Sequence, residues 1–364
     1  MTDVARGHGP RRHDRERYRG SGWRYTPVDR RPGAIDRVPA GGGRRDRVGE
    51  RLMGRLWLAA WTMLRVMPES IAFGLAEGAG ALLRHLSPPL RRRVTANLGR
   101  VVAPEQREEV VARAFRSYGR YWAESFRAAD LDPGELDRRT TTAGFEHLDA
   151  ALDRGRGVIV LLAHHGSWDI AARWAESHRY HLAVVAEVVR PRALFARFVA
   201  LREAMGLEVV PLRPRAPGGR AGVTERLLEA LEANHLVGLL ADRDLSGRAP
   251  RVRLFGEPAP LPPGPAALAR QSGAPIVPIT MLQRPGRSWH LQVLPAIDVA
   301  HLGVTEGQRA VAVGLEALVG LDPDQWHAFQ PIWDQPDHRD GGRARAGGSG
   351  ARTSAVRADR SARP

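Results

Sequence analysis

The 364 residues suffice for one large α/β domain, and 43% apolar with 26% charged residues is an ordinary globular balance, which excludes a minimal peptide or a disulfide scaffold. The chain has no cysteine, so disulfides, thiolate nucleophiles, Cys-ligated zinc and iron–sulfur clusters are excluded together. Fifty-five basic against 40 acidic residues give +15, and every basic side chain is arginine; the excess suits anionic partners, although GC-rich codon usage accounts for the arginine bias by itself.

Residues 1–48 are rich in Gly, Pro and Arg with no sustained apolar period, and they are expected to form a disordered basic tail. No continuous apolar stretch follows the basic start, so no signal peptide is expected. From Leu52 to Leu86 the pattern is apolar and helical, broken at Pro68. Its longest uncharged run, Leu56 to Leu64, is shorter than the ~20 residues of a membrane-spanning helix. Two amphipathic helices carrying Trp57, Trp61 and Phe73 are predicted here, lying on a membrane surface or covering a sheet. Further helices are predicted over Pro89–Val102 and Pro104–Ala128, each opened by proline.

After Asp130 the pattern changes. Short apolar runs at Gly157–Ala163, His181–Ala186, Leu207–Leu212, Leu236–Ala241 and Pro275–Gln283 alternate with helical stretches at Trp168–His178, Arg192–Met205, Gly222–Asn234 and Pro265–Ser272. A strand near His290–Leu294 and a helix near Gln308–Leu321 follow. The alternation predicts an α/β fold, a mostly parallel central sheet flanked by helices behind an N-terminal amphipathic helical segment. The expected organisation is a tail over 1–48, one domain over 49–335 (helical lead-in 49–130, α/β body 131–335), and a second disordered tail over 336–364.

The stretch GVIVLLAHHGSWD, Gly157 to Asp169, runs an apolar strand straight into polar residues and then a helix. Sites of open α/β sheets lie beyond the carboxyl ends of strands, where His164 falls. Asp169 sits in the first turn of the next helix, where a carboxylate is favoured, and it could hold the imidazole in one tautomer. His164 with Asp169 is thus a candidate general-base dyad; capping of the helix is the structural alternative. Ser167 lacks the G-x-S-x-G elbow of a serine hydrolase and lies inside the turn, so the hydroxyl to be deprotonated is expected to belong to a substrate. A metal set of His164, His165 and Asp169 is disfavoured because adjacent residues at a strand end point in different directions.

His164, four residues, Asp169 matches the H-x4-D signature of lipid acyltransferases, and AHHGSWD resembles the version in phosphatidylinositol mannoside acyltransferases and the related lauroyl/myristoyl transferases of lipid A synthesis. The similarity extends to SYGRYWAESFR (Ser117–Arg127), the block from Val184 to Leu212, LLADRDLSG (Leu239–Gly247), the proline-rich block from Leu261 to Met281, and DPDQWHAFQPIW (Asp322–Trp333). It covers about Leu52 to Trp333.

Beyond the dyad, Glu187 follows a strand and is expected to face the same crevice, or else to be a solvated loop carboxylate. Arg202 could hold an anionic headgroup or diphosphate bidentately. Asp242, Arg243 and Asp244, just after a strand, suggest an ion-pair network shaping the site or hydrogen bonds to sugar hydroxyls. The resemblance places His327 and Gln330 in a polar acceptor pocket.

The reaction the resemblance implies is acyl transfer from acyl-CoA, a co-substrate in an enzyme needing no cofactor, to a sugar hydroxyl of a mannosylated phosphatidylinositol lipid. Backbone N–H groups of the turn after His164 are candidates for the oxyanion, and the helical lead-in for the acyl groove wall. The expected location is peripheral, on the anionic cytoplasmic face of the cell membrane, without a transmembrane helix. The competing readings are a lipid A-type or other lipid-alcohol acyltransferase and a non-catalytic basic membrane-associated protein. No nucleic-acid module is present, and no nucleic-acid partner is expected.

Overall fold

Val158–Leu162 (VIVLL, β2) and Leu236–Leu240 (LVGLL, β5) are short apolar runs with no polar alternation, the pattern of strands covered on both faces, and they lie side by side in the middle of the sheet. A computed structural model describes residues 56–57, 59–186, 192–211, 222–244 and 246–333. The tails expected over 1–48 and 336–364 lie outside the described residues.

The sheet has seven strands: β1 (Thr140–Ala143), β2, β3 (Leu182–Ala186), β4 (Glu208–Pro211), β5, β8 (Ile276–Arg284) and β9 (Ser288–Val293), in the order β1-β9-β8-β2-β5-β3-β4. Strands β8, β2, β5, β3 and β4 are mutually parallel; β9 returns antiparallel to β8 and pairs in parallel with β1. The mostly parallel, helix-flanked sheet predicted from the alternation is what forms. β1, a polar TTTA edge, carries no apolar run and was not predicted. Neither was the hairpin of β6 (Arg251–Leu254) and β7 (Glu257–Pro260), whose alternation is interrupted by prolines. β9 alternates strictly, burying Trp289, Leu291 and Val293.

The lead-in is helical at 59–66, breaks at Pro68, and continues as α1 (Glu69–Leu86), α2 (Pro88–Leu98) and α3 (Arg107–Arg127). α1 packs on α3 at backbone contact: a Cβ on Gly80 would overlap the Phe115 carbonyl, and one on Gly119 the Ala76 carbonyl. α3 in turn lies over the carboxyl ends of the strands, next to α6 (Trp168–Ser177) and the segment 325–329. Of the remaining helices, α4 (Pro133–Arg139) and α5 (Phe145–Leu152) flank β1, while α7 (Arg192–Ala204), α8 (Val223–Glu232), α9 (Gly264–Ser272) and α10 (Val304–Gly320) connect and cover the strands.

α1 is apolar on both sides. Ala72, Phe73 and Ala76 are buried, while Ile71, Leu75, Leu82 and Leu86, spaced i, i+4, i+11 and i+15, form an exposed stripe. No helix among the described residues is long and apolar enough to cross a membrane.

Candidate functional site

β2 ends at Leu162, and the next turn is held from two sides. Gly166 adopts φ +64, and a Cβ there would overlap the Met281 carbonyl of β8, so only glycine lets the turn lie this close. Ser167 N donates to Met281 O at 2.8 Å, Gly166 N to Gln325 O at 2.9 Å, and His327 N to His164 O at 2.7 Å. His165 N turns back onto Ala163 O at 2.6 Å. The N–H groups of residues 165–167 are therefore committed to the protein, which corrects the expectation that they receive a substrate oxyanion.

The carboxylate on His164 comes from the neighbouring strand. Leu162 of β2 is in register with Leu240 of β5, so two residues further on His164 lies beside Asp242. Asp242 Oδ1 is 2.7 Å from His164 Nδ1, and Oδ2 accepts from His164 N at 3.0 Å and from Trp326 Nε1 at 2.9 Å. Burial of Asp242 would raise its pKa, but the His164 charge and these hydrogen bonds outweigh it and lower the carboxyl to about 2. An ionised acceptor fixes the proton on Nδ1 and leaves Nε2 with its lone pair toward the crevice.

The expected partner, Asp169, faces elsewhere. From the first turn of α6 its carboxylate accepts Arg202 Nε and Nη2 on Oδ1 (3.1 and 3.0 Å), and Tyr121 Oη and Ser125 Oγ on Oδ2 (3.2 and 2.9 Å). Its relative exposure is 2%. Asp169 thus ties α6 to α3 and α7, and the imidazole–carboxylate pair is His164–Asp242 rather than His164–Asp169. The reason is geometric: a side chain in the first turn of α6 points back at the helices packed on it, whereas an adjacent parallel strand delivers its residue alongside.

The guanidinium of Arg202 donates to Asp169, so it is an internal partner here. His165 is buried, with Nδ1 3.0 Å from Thr280 Oγ1 and Nε2 donating to Asp322 O at 2.9 Å; burial lowers its pKa to about 4. Ser167 is also buried, and its hydroxyl donates to Glu124. Asp244 organises its own loop, accepting from Ser246 N, Ser246 Oγ and Ala249 N. Arg243 lies within electrostatic reach of the Tyr118 phenol. Glu187 lies outside the described residues. Gln330 is exposed, and its carbonyl accepts from Asn97 Nδ2.

His327 is drawn beside His164, and its tautomer follows from its neighbours. Gln283 Nε2 donates to Glu124 at 3.0 Å, so its Oε1 is the acceptor for Ser117 Oγ at 3.0 Å. Ser117 has then used its proton and accepts from His327 Nε2–H at 3.1 Å. Burial, with His165 and His164 nearby, pushes the His327 pKa well below the usual range. Its Nδ1 is therefore a bare lone pair, buried without a partner.

α3 supplies site residues that sequence reasoning did not single out. Ser117, Tyr121, Glu124 and Ser125 fall on one helical face, and that face is buried. Glu124 accepts from Arg120, Trp289, Gln283 and Ser167, bracing the turn from beneath. The available signal was polar residues at i, i+4, i+7 and i+8 where an amphipathic helix should bury apolar ones. Tyr118 and Tyr121 line the His327 ring, and Trp168 packs edge-on against His164 (centroids 5.4 Å) and tilted against His327 (5.8 Å).

Trp168 also lines an apolar cavity of about 90 Å³. Its floor is the sheet face of β2, β3 and β5, its roof Ala171, Ala172 and Ala175 of α6, its far end Phe145 and Leu148 of α5, and Asp169 with Arg202 marks the end near the site. Among the described residues of the helical lead-in, none lines this cavity.

The chain matches the family model described as bacterial lipid A biosynthesis acyltransferase over residues 47–335. It is 36% identical over 297 residues to the phosphatidylinositol mannoside acyltransferase of Mycolicibacterium smegmatis, covering 80% of this chain and 94% of that protein. Two Mycobacterium tuberculosis proteins of the same name are 35% identical over 280 residues, covering 76% of this chain and 87% of theirs. An imidazole ordered at a strand end, an apolar cavity one ring away, and these similarities together make the chain an acyltransferase belonging to the bacterial lipid A biosynthesis acyltransferase family.

Proposed function

We propose that the chain moves a long-chain acyl group from acyl-CoA to a sugar hydroxyl of a phosphatidylinositol mannoside. The observation that carries this reading is His164, held on Nδ1 by an ionised Asp242, beside Trp168, which packs edge-on against the imidazole and also lines an apolar cavity. Nε2 takes the proton of the acceptor hydroxyl as its oxygen attacks the thioester carbonyl. The C–O bond forms, the C–S bond breaks, and the imidazolium returns the proton to the departing thiolate. Asp242 stabilises the imidazolium without itself being protonated. The lone pair of His327 Nδ1 accepts from a second sugar hydroxyl, and the acyl chain lies in the cavity. Asp169 and Arg202 hold the entrance in shape rather than exchange protons.

The exposed stripe Ile71, Leu75, Leu82 and Leu86 supports peripheral docking of α1 on the cytoplasmic face of the membrane, where both lipid substrates would be met.

The test is transfer of label from palmitoyl-CoA to a phosphatidylinositol mannoside, with a lipid A precursor as the competing acceptor. Acylated mannoside is the expected product, and His164→Ala should lower its rate by about 10² to 10⁴ while acceptor binding persists. Label on the lipid A precursor alone would reassign the acceptor; label on neither would refute the reading.

A further inference from the structure

One glycine of the sheet has no backbone reason to be glycine. Gly238 stands in the middle of β5, with Val160 of β2 and Val184 of β3 as its lateral partners. It is not among the glycines with positive φ. A Cβ there would meet only the ends of side chains: Val184 Cγ1 at 3.3 Å, Leu182 Cδ1 at 3.4 Å and Leu162 Cδ1 at 3.5 Å. Gly166 and Gly119 differ, because a Cβ on either would overlap a main-chain carbonyl. Glycine inside a strand weakens it, since it gives up conformational freedom and packs nothing.

What Gly238 supplies is the missing side chain. With Leu236 and Leu240 it lies on the face that floors the apolar cavity, and α6 contributes three small residues to the lining, Ala171, Ala172 and Ala175, between the large Trp168 and Trp174. Packed layers normally interdigitate to crystal-like density. Here Gly238 on the sheet and the three alanines on α6 each leave side-chain volume unfilled, and the void lies among them. The register sets its depth: Gly238 is level with Val160, four residues before His164, or about 13 Å along the strand from the imidazole.

We infer that Gly238 is the residue that admits long acyl chains, a specificity determinant that acts by leaving the middle of the cavity open. This rests on the acyl-transfer reading above. A chain whose carbonyl sits at His164 must pass Gly238 if it extends beyond that depth; an octanoyl chain ends short of it, and a palmitoyl chain does not. A side chain at 238 would project among Val184, Leu182 and Leu162, which all line the cavity, and block the longer donor selectively.

The experiment compares kcat/KM for octanoyl-, lauroyl- and palmitoyl-CoA in the full-length protein and its Gly238→Ala, Gly238→Val and Gly238→Leu variants. The palmitoyl-to-octanoyl ratio is expected to fall with side-chain size, by about threefold for Ala and roughly 30-fold or more for Leu. An unchanged ratio, or a uniform fall with all three donors, overturns the assignment. Should the Leu variant fail to fold by circular dichroism, the Ala and Val variants decide the matter by the same ratio, because the nearest atoms to a Cβ at 238 are the ends of movable side chains. An active parent with an unaltered ratio refutes the role of Gly238 alone, whereas a parent that transfers no acyl group from any donor refutes the function and this inference with it.

Discussion

His164 and Asp242 stand level at the ends of adjacent parallel strands, and both oxygens of the aspartate are used on the same partner: Oδ1 on the imidazole Nδ1 at 2.7 Å and Oδ2 on the His164 backbone N at 3.0 Å. Ring and main chain are thus fixed by one carboxylate, itself held by the Trp326 indole at 2.9 Å. The imidazole has little freedom to rotate, and its proton has one place to reside.

Asp242→Asn should therefore be far more damaging than its size suggests. The amide can keep one hydrogen bond but can present N–H to Nδ1, which moves the ring proton to Nε2 and removes the base. We expect kcat to fall by about 10² to 10⁴ with KM changed little, as steady-state kinetics would report. A fall confined to KM would mean that Asp242 binds substrate instead.

The pairing was legible in a way that motif reading passes over. Leu161-Leu162-Ala163-His164 and Leu239-Leu240-Ala241-Asp242 end in the same phase, and in adjacent parallel strands equal phase means adjacent side chains. What the residues alone could not supply was the adjacency of β2 and β5, which are separated by two intervening strands in sequence. Alternating apolar runs were enough to give the parallel sheet, while the polar edge β1 and the proline-interrupted hairpin carry no such period. The α3 face of Ser117, Tyr121, Glu124 and Ser125 was hidden for another reason: its polar groups are satisfied by Asp169, Ser167, Gln283 and Trp289, residues remote in sequence.

Asp169→Asn should act first on stability. Removing the charge leaves the Arg202 guanidinium, one-fifth exposed, without its counter-ion and places an amide against two hydroxyl donors. The expected loss is about 3 kcal/mol. Arg202→Met should cost a similar amount, and the double variant much less than the sum, since each single change strands the other charge. Urea unfolding of the four proteins checks this; additive losses would show that the pair is not coupled.

Stability should also fall on mild acidification. His165 and His235 are held at about 4, and His327 well below its usual value, all chiefly by burial. Below the unfolded value of 6.5 the unfolded chain binds protons that the folded chain refuses. The contribution of these rings is complete above pH 6.5 and is lost as pH falls toward 4, with a slope of up to three protons that Asp324 offsets by up to one, because burial and the nearby Asp322 raise its carboxyl to about 6 and the folded chain keeps its proton over the same range. Asp242, lowered to about 2, adds a separate loss between pH 4 and 2. Urea titrations across pH 7 to 4 would show the first window, and His165→Gln should reduce its slope by about one proton. A flat profile would mean that these rings titrate normally.

The stripe on α1 can be tested without disturbing the fold. Leu82 and Leu86 are 55% and 71% exposed, so glutamate at either position removes little burial that folding depends on, and stability should change by no more than about 0.5 kcal/mol. On a bilayer the same substitution loses the transfer of a leucine side chain, about 1.5 to 3 kcal/mol, and adds repulsion from anionic headgroups. Leu82→Glu/Leu86→Glu should therefore lower partitioning onto anionic vesicles by tenfold or more in sedimentation, and should slow transfer to acceptor embedded in those vesicles. Transfer to acceptor dispersed in detergent should change far less, because the His164–Asp242 pair and the apolar cavity include no residue of α1. Equal losses in both assays would place the effect in the fold; unaltered partitioning would mean that another surface meets the membrane.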